Sequence, residues 1–227
     1  LSFLYYSYMP LYFTDIWGHV SYGEWIIQNR TLPAEDPFLE LASGVPITCT
    51  AWLGQVVFGL ANQHGGAEWV SNIFALTVMV TWATLITACF VRSASMPSAI
   101  MCSLLCCFAA WSRHAIVRPE IFGSLCFALL LLVTVCRETR ILGGEEHSRT
   151  RAEIPFYLGV AVLFACWANL HGSFVVGFAV LGCQFLGRAI ECLMKRQPLR
   201  ETFHDRDLRH WLIACEVAVA ASLLNPY

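Results

Sequence analysis

The sequence predicts an all-helical polytopic membrane bundle that carries an amphipathic helix in an outer loop. Three observations lead there. Of the 227 residues, 57% are hydrophobic and only 13% charged, with a mean hydropathy of +0.59, whereas an average soluble domain is roughly 25% charged. The apolar residues are gathered in long runs divided by short polar intervals, as a lipid solvent requires. Lysine and arginine concentrate on alternate intervals. The net charge of -2 says little as a sum, and no nucleic acid is implied as a partner.

Leu1 to Phe13 is aromatic-rich but too short to cross a bilayer, which takes about 20 residues. Residues 1–13 therefore read as the end of a truncated first span or an interfacial belt, and the chain as a fragment of a longer protein. Residues 14–66 form the outer loop. A helix is expected from Thr14, with Asp15, His19 and Tyr22 on one face. Ile16, Val20 and Ile27 make an apolar stripe suited to a membrane surface or to packing against the spans. Ala51 to Asn62 is amphipathic and half a span long, which predicts a re-entrant or interfacial helix. Residues 69–224 then supply about six transmembrane helices: Trp69 to Val91, Ser98 to Trp111, Ile121 to Cys136, Pro155 to Asn169, Ser173 to Ile190 and Trp211 to Leu224. The shorter ones are tolerable inside a bundle or a thinned bilayer. Cys89, Cys102, Cys106, Cys107, Cys126, Cys136, Cys166, Cys183 and Cys215 lie in apolar runs and read as small buried hydrophobes, with no Cys-x-x-Cys zinc spacing.

Counting basic residues across these crossings gives an orientation. One side collects Arg92, Arg137, Arg140, Arg149, Arg151, Arg188, Lys195, Arg196, Arg200, Arg206 and Arg209, and the other only Arg30, Arg113 and Arg118. Eleven against three assigns the first side to the cytoplasm. Residues 14–66, 113–120, the turn at His171 and Asn225-Pro226 then share the outer face.

That face gathers the polar groups that topology does not need. Asp15 and His19, one helical turn apart, can hold a proton, a cation or a hydroxyl. Arg113, Arg118, Asn169 and His171 are candidates for binding substrate beside them, with Glu35 and Asp36 as secondary candidates. Arg118 precedes Pro119, a favoured first helical residue, so its guanidinium is expected beside free backbone N–H groups, an arrangement suited to phosphate. An acidic loop opposite an arginine-bearing helix mouth suggests a base and a leaving-group clamp. Plainer roles compete at each position. Asp15 after Thr14 suits a helix dipole, and His19 can serve only to orient Asp15. Glu35-Asp36 before Pro37 makes a natural turn, Arg113 and His114 suit a solvated span end, and Asn169 with His171-Gly172 suits a helix C-cap. Asp15 and Arg118 stand furthest above such roles. The cytoplasmic intervals contain no glycine-rich phosphate motif, so no nucleotide-sugar or ATP site is expected there.

The order of these motifs resembles a known group. Asp15-x-Trp17-x-His19, Gly23, Pro33, Asp36-Pro37-Phe38 and Trp52-Leu53-x-Gln55, followed by Arg118-Pro119-Glu120-Ile121-Phe122, Trp167-Ala168-Asn169-Leu170-His171-Gly172-Ser173-Phe174 and Asn225-Pro226, look like bacterial multispan glycosyltransferases of the GT-C class. The chain is similar to those grouped with the protein O-mannosyltransferases and the lipopolysaccharide-core sugar transferases, and the resemblance touches nearly its whole length.

The resemblance implies a GT-C-like fold and transfer of a sugar from a polyprenyl-phosphate donor to a glycan, lipid or protein acceptor, outside the cytoplasm of a bacterial inner membrane. Within that group an early acidic residue of the first outer loop acts as catalytic base or metal ligand, and Asp15 stands in its place. A carboxylate there would deprotonate the acceptor hydroxyl while Arg118, assisted by Arg113 or His171, steadies the departing phosphate. Many relatives carry closely spaced acidic pairs, whereas Asp15 stands alone until Glu24, which weighs against a metal-bridged mechanism while leaving the cofactor open, a divalent cation included. Two readings from other classes remain: a transporter or flippase of a polar or lipid-linked substrate, and a non-catalytic membrane scaffold. Against the first, only Glu216 lies well inside an expected span, and no internal repeat is visible.

Overall fold

The computed structural model describes residues 1–11, 14–42, 44–114, 116–142, 146–195 and 198–227, and side chains throughout these except at 14, 42, 112–114, 140–142, 146–152, 199 and 200. Residues 12 and 13 and the side chains of Arg113, His114, Arg140, Arg149, Arg151, Arg196 and Arg200 lie outside the described residues. Helix accounts for 80% of the chain. Among the described residues the elements are α1 (Ser2–Ser7), α2 (Thr14–Asn29), a 3-10 turn (Glu40–Ala42), α3 (Trp52–Ser93), α4 (Met96–His114), α5 (Glu120–Leu142), α6 (Glu146–Leu170), α7 (Phe174–Met194), α8 (Leu199–His204) and α9 (Arg206–Ser222). An isolated antiparallel bridge, Glu35 to Pro46, ties the loop between α2 and α3.

Among the described residues, four helices are long and apolar enough to cross a membrane: α3, the Glu120–Thr139 part of α5, the Glu153–Leu170 part of α6, and α7. The chain is an integral membrane protein on this ground. The expected spans at Ser98 to Trp111 and Trp211 to Leu224 are helical, as α4 and α9. The apolar part of α4, Met96–Trp111, is shorter, and α9 has 17 residues. Each reaches about 25 Å, short of a hydrocarbon core of about 30 Å.

The segments expected as an interfacial helix and the first full span are two helical stretches, here labelled together as α3, that meet at a break at Gly65 and Gly66. Gly66 has φ +66°, a left-handed conformation that glycine adopts without a Cβ clash. A Cβ on Gly65 would lie 1.9 Å from the Trp69 ring, so the break also needs the bare backbone there. Helix α6 begins at Glu146 and carries Pro155 in its interior, so the first residue of the expected span is the tenth of the helix.

Two packed clusters make the core. Tyr6, Ile16, Val20, Phe58, Phe74, Val78, Val117 and Ile121 join α1, α2 and α3 to the start of α5. Leu130, Phe156, Val160, Phe164, Trp167, Leu181, Trp211 and Ala218 join α5, α6, α7 and α9. In lipid the outer faces gain nothing by being hidden, so cohesion comes from close packing around small residues. Gly177 illustrates it: a Cβ there would come within 2.7 Å of both Phe164 and Trp167. Outward faces carry Leu76, Met101, Leu105, Leu158, Val162 and Leu186 exposed, as lipid contact requires.

The cysteines follow the same geometry and correct an expectation. Of those read as buried, Cys126 alone is buried, while Cys102, Cys106, Cys166 and Cys183 are exposed. In a lipid solvent an outward face is apolar too, so hydropathy does not separate core from lipid contact.

Candidate functional site

At one end of the bundle meet the start of α2, the start of α3, the start of α5, the turn between α6 and α7, and the chain after α9. Alternating direction places the later elements together, since α5 and α7 leave this end and α6 and α9 return to it, while the loop after α2 brings the chain back to the start of α3.

Helix α2 turns its buried side, Ile16, Val20, Gly23 and Ile26, toward α3. The expected stripe shifts by one residue at its far end, since Ile27 is only half-buried. The contact is close because both helices present glycine. A Cβ on Gly23 would lie 1.9 Å from the Gln55 carbonyl oxygen, and one on Gly59 would lie 2.8 Å from the Glu24 amide nitrogen. Asn62 Nδ2 also donates to Glu24 Oε1 at 2.8 Å, which fixes the register. Asp15 and His19 are thereby held beside Gln55.

Arg118 arrives from the start of α5, whose first turn is closed by Ile121 N–H and Phe122 N–H donating to the carbonyls of Arg118 and Pro119. Its Nη2 donates to Asp15 Oδ2 in an ion pair. The groups expected to act as separate base and clamp therefore contact each other. Their side chains are 36% (Arg118) and 50% (Asp15) exposed, and a pair so placed contributes about 0–1 kcal/mol. Arg118 Nε is buried without an acceptor.

His19 is half-buried, with Nδ1 3.3 Å from Gln55 Nε2. Burial pushes its pKa below the ordinary imidazole value, with Arg118 and His171 acting in the same sense against the opposing pull of Asp15. His171 occupies the turn between α6 and α7, where its Nδ1 accepts from the Ser173 N–H at 3.1 Å. Burial lowers its pKa as well, opposed by Glu120. Both imidazoles are thus neutral at neutral pH. Gly123 of α5 leaves room for this turn, since a Cβ there would lie 2.2 Å from Ser173 Oγ.

Asn169 is turned to structure. Its Oδ1 accepts from Trp52 Nε1 at 2.7 Å and its Nδ2 donates to the Ala165 carbonyl at 2.7 Å, pinning the end of α6 to the start of α3. Asn225 does likewise, donating to the Ala168 carbonyl at 2.5 Å. Glu35 and Asp36 shape the loop: Glu35 Oε2 accepts from Gly44 N–H at 3.0 Å, and Asp36 from Tyr22 OH at 2.6 Å and from Phe38 N–H at 2.9 Å. The Tyr22 bond, then that of Phe38, holds the Asp36 carboxyl below its usual range. The structure therefore brings together Asp15, His19, Arg118 and His171, sets Asn169 behind them, and leaves Glu35 and Asp36 in the loop.

Gln55 was not among the expected site residues. It is 6% exposed, it holds His19, and its Oε1 is buried without a donor. An amide inside the apolar run Ala51 to Asn62 was the available signal. Among the described residues no group of three or more His, Cys, Asp and Glu is placed to hold a metal ion. Asp15, the residue placed as base or metal ligand by the resemblance, has its carboxylate on the Arg118 guanidinium. No family model, no curated protein and no solved structure matches this chain.

Proposed function

We propose that the protein is a GT-C-like membrane glycosyltransferase that moves a sugar from a polyprenyl-phosphate donor to a glycan, lipid or protein acceptor, on the extracytoplasmic face of a bacterial inner membrane. The observation that carries this reading is the convergence of Asp15, His19, Arg118 and His171 from separate elements onto one polar end of an apolar bundle. The carboxylate takes the proton of the acceptor hydroxyl as its oxygen bonds to the anomeric carbon. The bond from that carbon to the donor phosphate oxygen breaks, and the electron pair leaves with the phosphate. Arg118 holds the charge that develops there, and the neutral imidazoles of His19 and His171 orient the reacting groups.

Transfer of radiolabelled sugar from polyprenyl-phosphate donors by membranes containing the protein, wild type beside Asp15→Asn, tests the reading. Transfer that falls with the carboxylate supports both activity and base. Transfer indifferent to the substitution keeps the activity and removes Asp15 from it. Folded protein that transfers from no donor returns the case to a transporter or scaffold.

A further inference from the structure

One contact sits awkwardly with a base and a clamp acting independently. Arg118 Nη2 donates to Asp15 Oδ2, so an oxygen that would take the acceptor's proton is already occupied by a donor. We infer that Arg118 serves two competing anions, the Asp15 carboxylate and the phosphate head of a lipid, so that a phosphate seated on Arg118, His19 and His171 frees the carboxylate it displaces. The inference rests on the transferase reading only in calling the freed carboxylate a base.

The donors of this site are fixed by their neighbours. A backbone N–H can only donate, so the bond from Ser173 to His171 Nδ1 leaves the proton of the neutral ring on Nε2. Gln55, with its amide nitrogen toward His19 Nδ1, sets the same tautomer there. His19 thus lies within electrostatic reach of both the Arg118 guanidinium and His171, and joins the two. Neutral rings add donors without repelling the arginine. Asp15 engages Nη2 of that guanidinium while Nε has no acceptor, so the fork is only partly used. Phosphate offers several oxygens to a fork built for two parallel bonds, and charge-assisted bonds of this kind are about twice as strong as neutral ones. A half-exposed ion pair, contributing at most about 1 kcal/mol, yields to it.

The test is equilibrium binding to the purified full chain in detergent, with inorganic phosphate in one arm and geranyl phosphate in the other. Removing the competitor by Asp15→Asn should tighten binding of both ligands about two- to five-fold, the range that loss of a pair of up to about 1 kcal/mol allows. Arg118→Gln should abolish it, and His171→Phe should weaken it several-fold. Geranyl phosphate should bind more tightly than inorganic phosphate in every form that binds. Unchanged or weaker binding in Asp15→Asn, or no binding by any form, overturns the competition. Inorganic phosphate preferred over the lipid phosphate overturns the lipid source. Asp15 is exposed, so Asp15→Asn is expected to fold, and Asp15→Glu, which keeps a competing anion, should bind like the wild type. Sugar transfer separates the two ideas: transfer without tighter binding in Asp15→Asn removes the competition alone, and competition without transfer removes the transferase alone.

Discussion

The two ends of the bundle handle charge in opposite ways. At the end away from Asp15, Arg188 donates through Nε and Nη2 to both oxygens of Asp205 at 2.9 and 2.6 Å, and through Nη1 to Glu191 at 2.7 Å. Lys195 closes on Glu191 at 2.6 Å, Arg137 on Asp207 at 3.1 Å, and Arg206 on Glu153 at 3.3 Å. Asp205 also caps α9 by accepting from Leu208 N–H. At the other end the half-exposed Asp15–Arg118 pair sits beside two neutral imidazoles, an Arg118 Nε without an acceptor and a Gln55 Oε1 without a donor. The first end uses its charges to lock helices together. The second keeps bonding capacity in reserve, which is what a site awaiting a ligand does.

Substitutions at the two ends should separate these roles. The largest effect is expected from Asp15→Asn, which should cut sugar transfer about 10²-fold or more while changing unfolding free energy by under about 1 kcal/mol. Equal losses in transfer and stability would erase the distinction. Gly23→Ala comes next. Its methyl would meet the Gln55 carbonyl oxygen, so α2 must move off α3, at about 2–3 kcal/mol in denaturation assays, and transfer should fall with the displaced Asp15. Asp205→Asn reverses the Asp15 pattern: about 2 kcal/mol lost with the charged bonds to Arg188, the amide oxygen still capping α9, with phosphate binding and transfer unchanged.

Acid should sharpen the comparison with the smallest effect. The His19 and His171 pKa values are lowered in the folded state. The unfolded chain therefore takes up protons first, and stability declines as pH falls below about 6.5 toward the lowered values. Hydrogen bonds from Arg188 hold the Asp205 carboxyl down to about 2, so its contribution is complete above about pH 4 and is lost as pH falls through that value. Thermal unfolding scanned against pH should show two windows. His171→Asn should shrink only the upper one, and Asp205→Asn only the lower.

The sequence showed helices better than their contacts. Hydropathy alone locates α3, α5, α6 and α7 because lipid admits few alternatives. The Gly65-Gly66 break falls in the gap between the expected interfacial helix and the expected span, since the pair of glycines interrupts both patterns. Polar periodicity placed Asp15 and His19 on one helix, but their partners come from far along the chain: Arg118 lies 103 residues from Asp15 and Gln55 36 from His19. Such pairings are set by how the bundle closes, which no local pattern records. Tyr22 shows the limit, for it shares a face with Asp15 and His19 and still bonds to Asp36 in the loop. The cysteines failed for a different reason, because lipid and protein interior look alike to an apolar residue.

The glycine contact between α2 and α3 bears on how the site behaves in membranes of different composition. An amphipathic helix has one apolar face, and α2 lays that face against α3 at Gly23 and Gly59. Outside that face Trp17 is exposed, but α2 carries no Lys or Arg to draw it to anionic headgroups. Helix α2 should therefore keep its position when anionic lipid is exchanged for neutral lipid, and its amides should exchange with deuterium in step with those of residues 52–64 rather than with the loop that follows it.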